Sequence, residues 1–233
     1  MYYDLHIHSC LSPCADDDMT PNNICNMAVI KGLDVIAITD HNSCLNLPAF
    51  DVCAKNLGLR LIYGCELQTI EEVHVLGLFQ TLAEAMSMQE WIDEKLKKVE
   101  FDPAYFGNEL RMNAQDEVIS QEKNLLIISL DASIEETIDA VHEHGGAAVL
   151  AHAAGRHNSI CVQLGFIPED LKYDAIEVKK EEDMTYIKKI HPWITDDNTL
   201  WLMDSDAHRL IDISEQVHAI NEEKFRKLWS RNL

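Results

Sequence analysis

Short apolar runs punctuate the chain at YYDLHIHS, DVIAITDH, LRLIYGCE, VHVLGLF, GAAVLAH, DAIEVK and TLWLMDSDAH, with helix-like or loop segments between them. Strands alternating with helices predict an α/β protein built on a mainly parallel sheet. The segment from Pro21 to Lys31 reads as a helix: Thr20 supplies an N-cap, Pro21 fits the first helical position, and Gly32 follows the last. Residues 46–57 read as a second helix, ended by Gly58. Between Thr81 and Lys98 the apolar residues Leu82, Met86, Trp91, Ile92 and Leu96 keep a helical period. Ser133 and Glu136 form a capping box for a helix that runs to the Gly145-Gly146 stop. From Glu100 to Ser129 no period is sustained. An inserted loop with one short helix is expected there, a candidate lid, and LLIIS stays open between a strand and a buried helix. The whole insertion is placed at about 81–132 within a single domain of residues 1–233.

In DLHIHS the ionisable residues Asp4, His6 and His8 alternate with Leu5 and Ile7. A strand turns successive side chains to opposite faces, so the three polar residues are expected to share one face. Other runs end in the same way. Asp40 and His41 follow the second run and Glu66 the third, while His74 lies within VHVLG, His152 directly after AAVL, and Asp206 and His208 directly after LWLM. In barrels and open α/β sheets the site gathers at the carboxyl ends of the strands. A lone histidine after a strand is ordinarily a hydrogen-bonded core or surface residue, but six histidines and three acids at the ends of successive runs exceed what composition produces. His142 and His144, in a predicted helix beside Glu143, and His218, after Glu215, are expected to be solvated side chains outside any site.

Imidazoles mixed with carboxylates suit zinc, manganese or iron. Two or three such ions about 3.5 to 4 Å apart, bridged by one carboxylate, activate a water and stabilise charge on phosphoryl oxygens. Hydrolysis of a phosphate ester is the natural reaction. Forty acidic against nineteen basic residues give a net charge of −21, which repels nucleic acid and anionic lipid. Duplex nucleic acid is therefore expected to be excluded, leaving a small-molecule phosphate ester as substrate. No apolar run approaches the roughly 20 residues of a membrane span, and the start at DLHIHS leaves no room for a signal peptide. Seven cysteines without a CxxC pair read as reduced thiols, and a cytoplasmic location is expected. Cys10 and Cys14 lie near the histidines as candidate soft ligands, although a free cysteine is more often a small buried hydrophobe.

The motifs DLHIHS, TDH, GCE, VHVLG, AHAA and SDAH, in this order from Asp4 to His208, resemble those of the PHP (polymerase and histidinol phosphatase) domain family. The resemblance implies a distorted seven-stranded (β/α) TIM-like barrel with a trinuclear metal site. It further implies a first ion on His6, His8, Glu66 and Asp206, a second on the bridging Glu66 with His74 and His152, and a third on His41, His208 and one residue of the first loop. That loop, SPCADDDMTP, departs from the family's usual S-D-G. Counting back from Pro21 selects Asp16, with Asp17 and Asp18 as alternatives. Asp4 and Asp40 are expected to accept the spare N–H of a neighbouring histidine, and Glu177 either does the same or is a surface acid. His208 or His41 is the candidate proton donor to the leaving group, with Glu66 as the central carboxylate. Arg156 and Arg209 are the candidate clamps for a second phosphate or carboxylate.

The expected activity is that of a metal-dependent phosphoesterase on a small phosphomonoester, a nucleotide or a histidinol-phosphate-like compound. An exonuclease-like phosphodiesterase on short oligonucleotides is the alternative. A metal-dependent amidohydrolase is a further one, disfavoured because Glu66 stands where that class usually carries a lysine. A non-enzymatic metal-binding module comes last, since the ligand set is nearly full. Oligomeric state is left open.

Overall fold

The structure is a computed structural model and describes residues 1–230. All seven apolar runs form strands of one sheet. In chain order the elements begin with β1 (Tyr3–Ile7), α1 (Pro21–Ile30), β2 (Val35–Ile38), α2 (Leu47–Leu57), β3 (Arg60–Gln68), β4 (His74–Phe79) and α3 (Leu82–Lys95). The segment expected to be inserted, at about 81–132, contains α3 and adds α4 (Pro103–Phe106), β5 (Leu110–Met112) and β6 (Val118–Gln121). After it come α5 (Ile134–Glu143), β7 (Ala147–Leu150), α6 (Ile160–Gln163), β8 (Ala175–Glu177), α7 (Glu181–Ile190), β9 (Trp201–Leu202) and α8 (Glu222–Arg226). The sheet order is β1-β2-β3-β4-β7-β8-β9. A parallel bridge between Ile7 and Ala207 draws its two edges together into a distorted barrel.

Helix boundaries follow local chemistry. The Thr20 hydroxyl accepts from Asn23 N, Pro21 opens α1, and Gly32 takes a left-handed φ of 72° just beyond it. Gly58 closes α2 in the same conformation, with φ 67°. Reciprocal capping boxes open α3 (Thr81 with Glu84) and α5 (Ser133 with Glu136), each cap contributing about 1 kcal/mol.

One sheet face is covered by helices: Ile36, Ile38, Val75, Leu150 and Ile176 pack with Phe50, Met88 and Ile138. The enclosed face gathers Leu5, Val35, Ala37, Ile62, Leu76 and Val149, with Phe225 and Leu228 of the C-terminal segment plugging it. β4 runs antiparallel to both neighbours, β3 and β7, whereas the other pairings of the seven-stranded sheet are parallel. Its first residue, His74, therefore lies at the end where the other strands finish.

β1 departs from simple alternation. Leu5 packs on the enclosed face and Ile7 among the helices, although they are two residues apart, and the pairing with β2 shifts register between Asp4 and Ile7. Such a bulge places two consecutive residues on one side. His6 therefore joins Leu5 on the enclosed face, and Asp4 faces the other way. The expectation that Asp4, His6 and His8 share one face does not hold.

The segment left open also resolves. β5 and β6 form a two-stranded hairpin that hydrophobic periodicity does not signal, since Val118 and Ile119 are both exposed. LLIIS is neither strand nor helix. Side chains satisfy its backbone group by group: Asn42 Nδ2 donates to Leu126 O and Ile128 O, and Leu126 N donates to Glu109 Oε1. Asn46 Nδ2 donates to Ser9 Oγ and Leu110 O and its Oδ1 accepts from Met112 N, tying the hairpin to the first loop.

Candidate metal centre

Glu66 lies at the middle of a buried cluster of imidazoles. Its Oε1 is 2.8 Å from His74 Nδ1, 3.2 Å from His152 Nε2 and 3.3 Å from His6 Nε2. Its Oε2 is 3.0 Å from His41 Nδ1 and 3.4 Å from His8 Nε2. Asp206 Oδ1 approaches His6 Nε2 at 3.4 Å and His8 Nε2 at 3.2 Å. His208 stacks on His8, ring centroids 4.3 Å apart. The fold thus brings together every histidine proposed from the strand ends, with Glu66 and Asp206.

Hydrogen bonds on the far side of the rings set the tautomers. His6 Nδ1 is 2.8 Å from Glu177 Oε2, an acceptor, so Nδ1 carries the proton. His8 Nδ1 is 3.0 Å from Ser12 Oγ, whose own hydrogen goes to Asp40 Oδ1 at 2.7 Å. His8 Nδ1 must then donate to Ser12. Both Nε2 atoms consequently present lone pairs, yet they lie 3.2 Å from each other and face the oxygens of Glu66 and Asp206. Acceptors converging on acceptors at this range are relieved by a shared proton on His6 or by a metal ion between them. His74 Nε2 and His152 Nδ1 are also buried without a hydrogen-bond partner. The donor set fits divalent ions that accept nitrogen and oxygen ligands. Three sets of side chains have ligand atoms close enough for an ion: His6, His8 and Asp206; His41, Glu66 and His74; and His8, His41 and His208.

The electrostatics agree. Glu66 and Asp206, although burial opposes their charge, are held well below the usual carboxylate range by the surrounding histidines. Against its burial, His6 is driven well above the ordinary histidine value by Glu177, Asp206 and Glu66. Burial and the neighbouring His41 and His208 push His8 well below it. Backbone geometry is also demanding here: Asn42, His152 and Asp206 have φ of 44°, 29° and 53°. Left-handed non-glycine residues cost roughly 1 to 3 kcal/mol each and persist where surrounding structure enforces them.

Other candidates fall differently. Neither Asp4 nor Asp40 accepts from an imidazole. Asp4 accepts from Ser205 N and Ser214 N, fixing the loop that carries Asp206, and Asp40 reaches His8 through Ser12. Glu177 is fully buried and holds His6 directly. The carboxylate of Asp16 is exposed and joins none of the three sets, and Asp17 accepts from Asn108. Arg156 lines the cavity with Nη1 2.7 Å from Asp206 Oδ2, whereas Arg209 is paired with Asp212 on the surface, outside the lining. His157 and Asn158 also line the cavity, and sequence reasoning passed over them although they follow the AHAA motif in the loop after β7. His142 bonds Asp174 and His144 bonds Ser87, both outside the site and neither simply solvated.

A curled, mainly parallel sheet with histidines and carboxylates converging at one end marks the class of metal-dependent hydrolases. Residues 4–225 match the PHP domain, and the chain belongs to that family of metal-dependent phosphoesterases. A 5'-3' exoribonuclease of Haemophilus influenzae is 25% identical over 191 residues, which cover 64% of this chain and 68% of the relative. Among solved structures, the lesion-specific endonuclease Q of Pyrococcus furiosus superimposes with a TM-score of 0.66 at 20% identity, covering 97% of this chain and 54% of that one. An endonuclease Q complex with a 27-mer duplex carrying an abasic lesion at its active site gives 0.61 at 22% identity, covering 97% and 55%. The exclusion of duplex nucleic acid is therefore withdrawn: a protein of this fold has been solved with a duplex at its active site. Net charge sums over the whole surface and does not describe the field at a site that holds cations. Among the described residues no helix is long and apolar enough to cross a membrane.

Proposed function

We propose that this chain hydrolyses phosphodiester bonds of short oligonucleotides, using up to three divalent ions. One observation carries this reading over the phosphomonoester first expected. The cavity beside Glu66 has a volume of about 210 Å³ and opens at a rim formed by Arg156, His157 and Asn158. A drug-sized ligand needs roughly 300 Å³ or more, so this cavity takes a phosphate group and leaves the remainder of a substrate on the surface, as a chain-like substrate requires. The resemblance to an exoribonuclease supports the same substrate class.

His6, His8, Glu66 and Asp206 would hold one ion, Glu66, His74 and His152 a second, and His41 with His208 a third. Bound there, the ions supply an activated water and Lewis-acid stabilisation of the phosphoryl oxygens. The protein's own groups do the rest. Glu177 and the Asp40–Ser12 pair keep His6 and His8 in the tautomer whose Nε2 faces the cavity. Arg156, beside Asp206, is placed to take a phosphate oxygen in a charge-assisted hydrogen bond. His157 lines the cavity outside the three ligand sets, where it can hydrogen-bond the leaving oxygen.

The test is to load the full chain with manganese or zinc and offer short 5'-phosphorylated RNA and DNA oligonucleotides beside a panel of phosphomonoesters. Release of nucleoside monophosphates is expected. Release of inorganic phosphate from monoesters with the oligonucleotides left intact would overturn the proposal.

A further inference from the structure

Three aromatic rings stand together on the surface of the segment between α3 and α5. Tyr105 is 88% exposed, more than any other large apolar side chain among the described residues, and Phe106 is 43% exposed. Phe106 contacts both of the others: its ring centroid is 6.5 Å from that of Tyr105 and 6.4 Å from that of Phe101, which meets it edge-on. Contiguous exposed apolar surface of this kind marks an interaction site. The backbone beneath the rings is held in place. Asp102 caps α4 by accepting from Ala104 N, and Gly107, at φ 96°, closes it.

The first loop ties the rings to the metal centre. A Cβ on Gly107 would lie 1.9 Å from Pro13 O, and Asn108 Nδ2 donates to Asp17 Oδ2 at 2.8 Å. Pro13 follows Ser12, whose hydroxyl receives the Nδ1–H of His8 at 3.0 Å, and Asp16 N donates to His208 O at 2.9 Å. From Phe106 through Gly107, Pro13 and Ser12 to His8 the path is no longer than about 20 Å, with about 3.8 Å between consecutive Cα atoms. A stacked strand advances about 3.4 Å per nucleotide, so a strand with one phosphate at the metals reaches the rings within about six nucleotides.

Charge favours the same occupant. Lys97, Lys98 and Lys123 are exposed, and the antiparallel bridge between Glu100 and Asn124 brings Lys123 alongside Phe101. Among the described residues none of these three lysines makes an ion pair. Residues 95–123 hold five basic and six acidic residues, one of the acids being the buried Glu109, so nearly all of the −21 lies elsewhere in the chain. A polyanion is repelled least at this segment, whereas a second copy of the chain would bring its own −21 against the first.

We propose that Tyr105 and Phe106, the latter braced by Phe101, form a stacking platform for unpaired bases of an oligonucleotide whose reacting phosphate lies at the metal centre, with Lys97, Lys98 and Lys123 supplying charge to its backbone. Every base has a π-face, so such a platform sets a preference for length and not for sequence. The inference rests on the oligonucleotide reading above.

The test uses the full chain loaded with manganese, a 5'-phosphorylated single-stranded RNA octamer and the matching dinucleotide. Turnover of both and octamer binding by fluorescence anisotropy are measured, with thermal unfolding as the check on folding. Tyr105→Ala should raise the octamer Kd about 5- to 150-fold, the worth of one stacked base, and lower the ratio of octamer to dinucleotide kcat/KM by the same factor. Phe106→Ala should repeat the loss, and Tyr105→Trp should keep wild-type affinity. Lys97→Gln with Lys123→Gln should make octamer binding less dependent on salt. An unchanged ratio and Kd in both alanine variants, with wild type cleaving both substrates, overturns the platform and leaves the oligonucleotide reading intact. An octamer that is bound but uncut, with binding lost in Tyr105→Ala, overturns hydrolysis and leaves the platform. Wild type that neither binds nor cuts the octamer overturns both. A wild-type dimer in sedimentation that Tyr105→Ala makes monomeric gives the rings to a second copy and overturns the proposal.

Discussion

Replacing Glu66 with glutamine should remove two ions in one step. Its Oε1 lies 3.3 Å from His6 Nε2, 2.8 Å from His74 and 3.2 Å from His152, so under the assignment proposed above this single carboxylate would serve both the first and the second ion. An amide keeps the shape and removes the charge. At free metal about 100-fold above Kd, each ion bound only by the native state adds about 2.7 kcal/mol to stability. Losing two withdraws about 5 kcal/mol of metal-dependent stabilisation. For a chain of this length about 2 to 4 °C of Tm corresponds to each kcal/mol, so the metal-loaded variant should melt roughly 10 to 20 °C below loaded wild type. Asp206→Asn is the internal standard, because Asp206 belongs only to the set with His6 and His8. It should cost one ion and about half the shift. Ion counting with thermal unfolding at buffered free metal measures both. Equal losses in the two variants would refute the bridging role of Glu66.

Four other variants probe separate parts of the argument. Glu177→Gln releases the His6 tautomer and should weaken metal affinity about 10- to 100-fold, read by competition with a chelator. Arg156→Ala should lower kcat/KM by about 10- to 100-fold, the worth of a charge-assisted hydrogen bond, while Arg209→Ala, paired only with Asp212, should leave it unchanged. Gly107→Ala forces a side chain into the left-handed region at φ 96° and against Pro13 O, and should destabilise the chain by about 1 to 3 kcal/mol in denaturant unfolding. Burial pushes the fully enclosed Glu109 carboxyl up to about 8, so between its ordinary value and pH 8 the folded chain binds more protons than the unfolded one. Stability contributed there falls as pH rises, and Glu109→Gln should flatten that slope between about pH 5 and 8 in unfolding curves.

Much of the molecule was legible in the primary structure because the signals are local. Strand runs, the Thr20 and Ser133 caps and the Gly32 and Gly58 stops depend on neighbours within a turn. So does the placing of His41, Glu66, His152 and Asp206 directly after apolar runs, and the barrel carries those positions to one end. Long-range contacts decided the remainder. The bulge in β1 sends Asp4 to the opposite side from His6, where it fixes the Ser205 and Ser214 backbone. Antiparallel pairing of β4 brings its first residue, His74, into the site. Asn42, Asn46 and Glu109 order an insertion whose own pattern is silent. Counting along SPCADDDMTP favours Asp16, but the folded loop leaves its carboxylate exposed and outside the three ligand sets. The sequence by itself determined which side chains can bind metal and that most of them stand at strand ends. Only the tertiary structure decided which of them meet, because register, strand direction and loop path are set by partners distant in the chain.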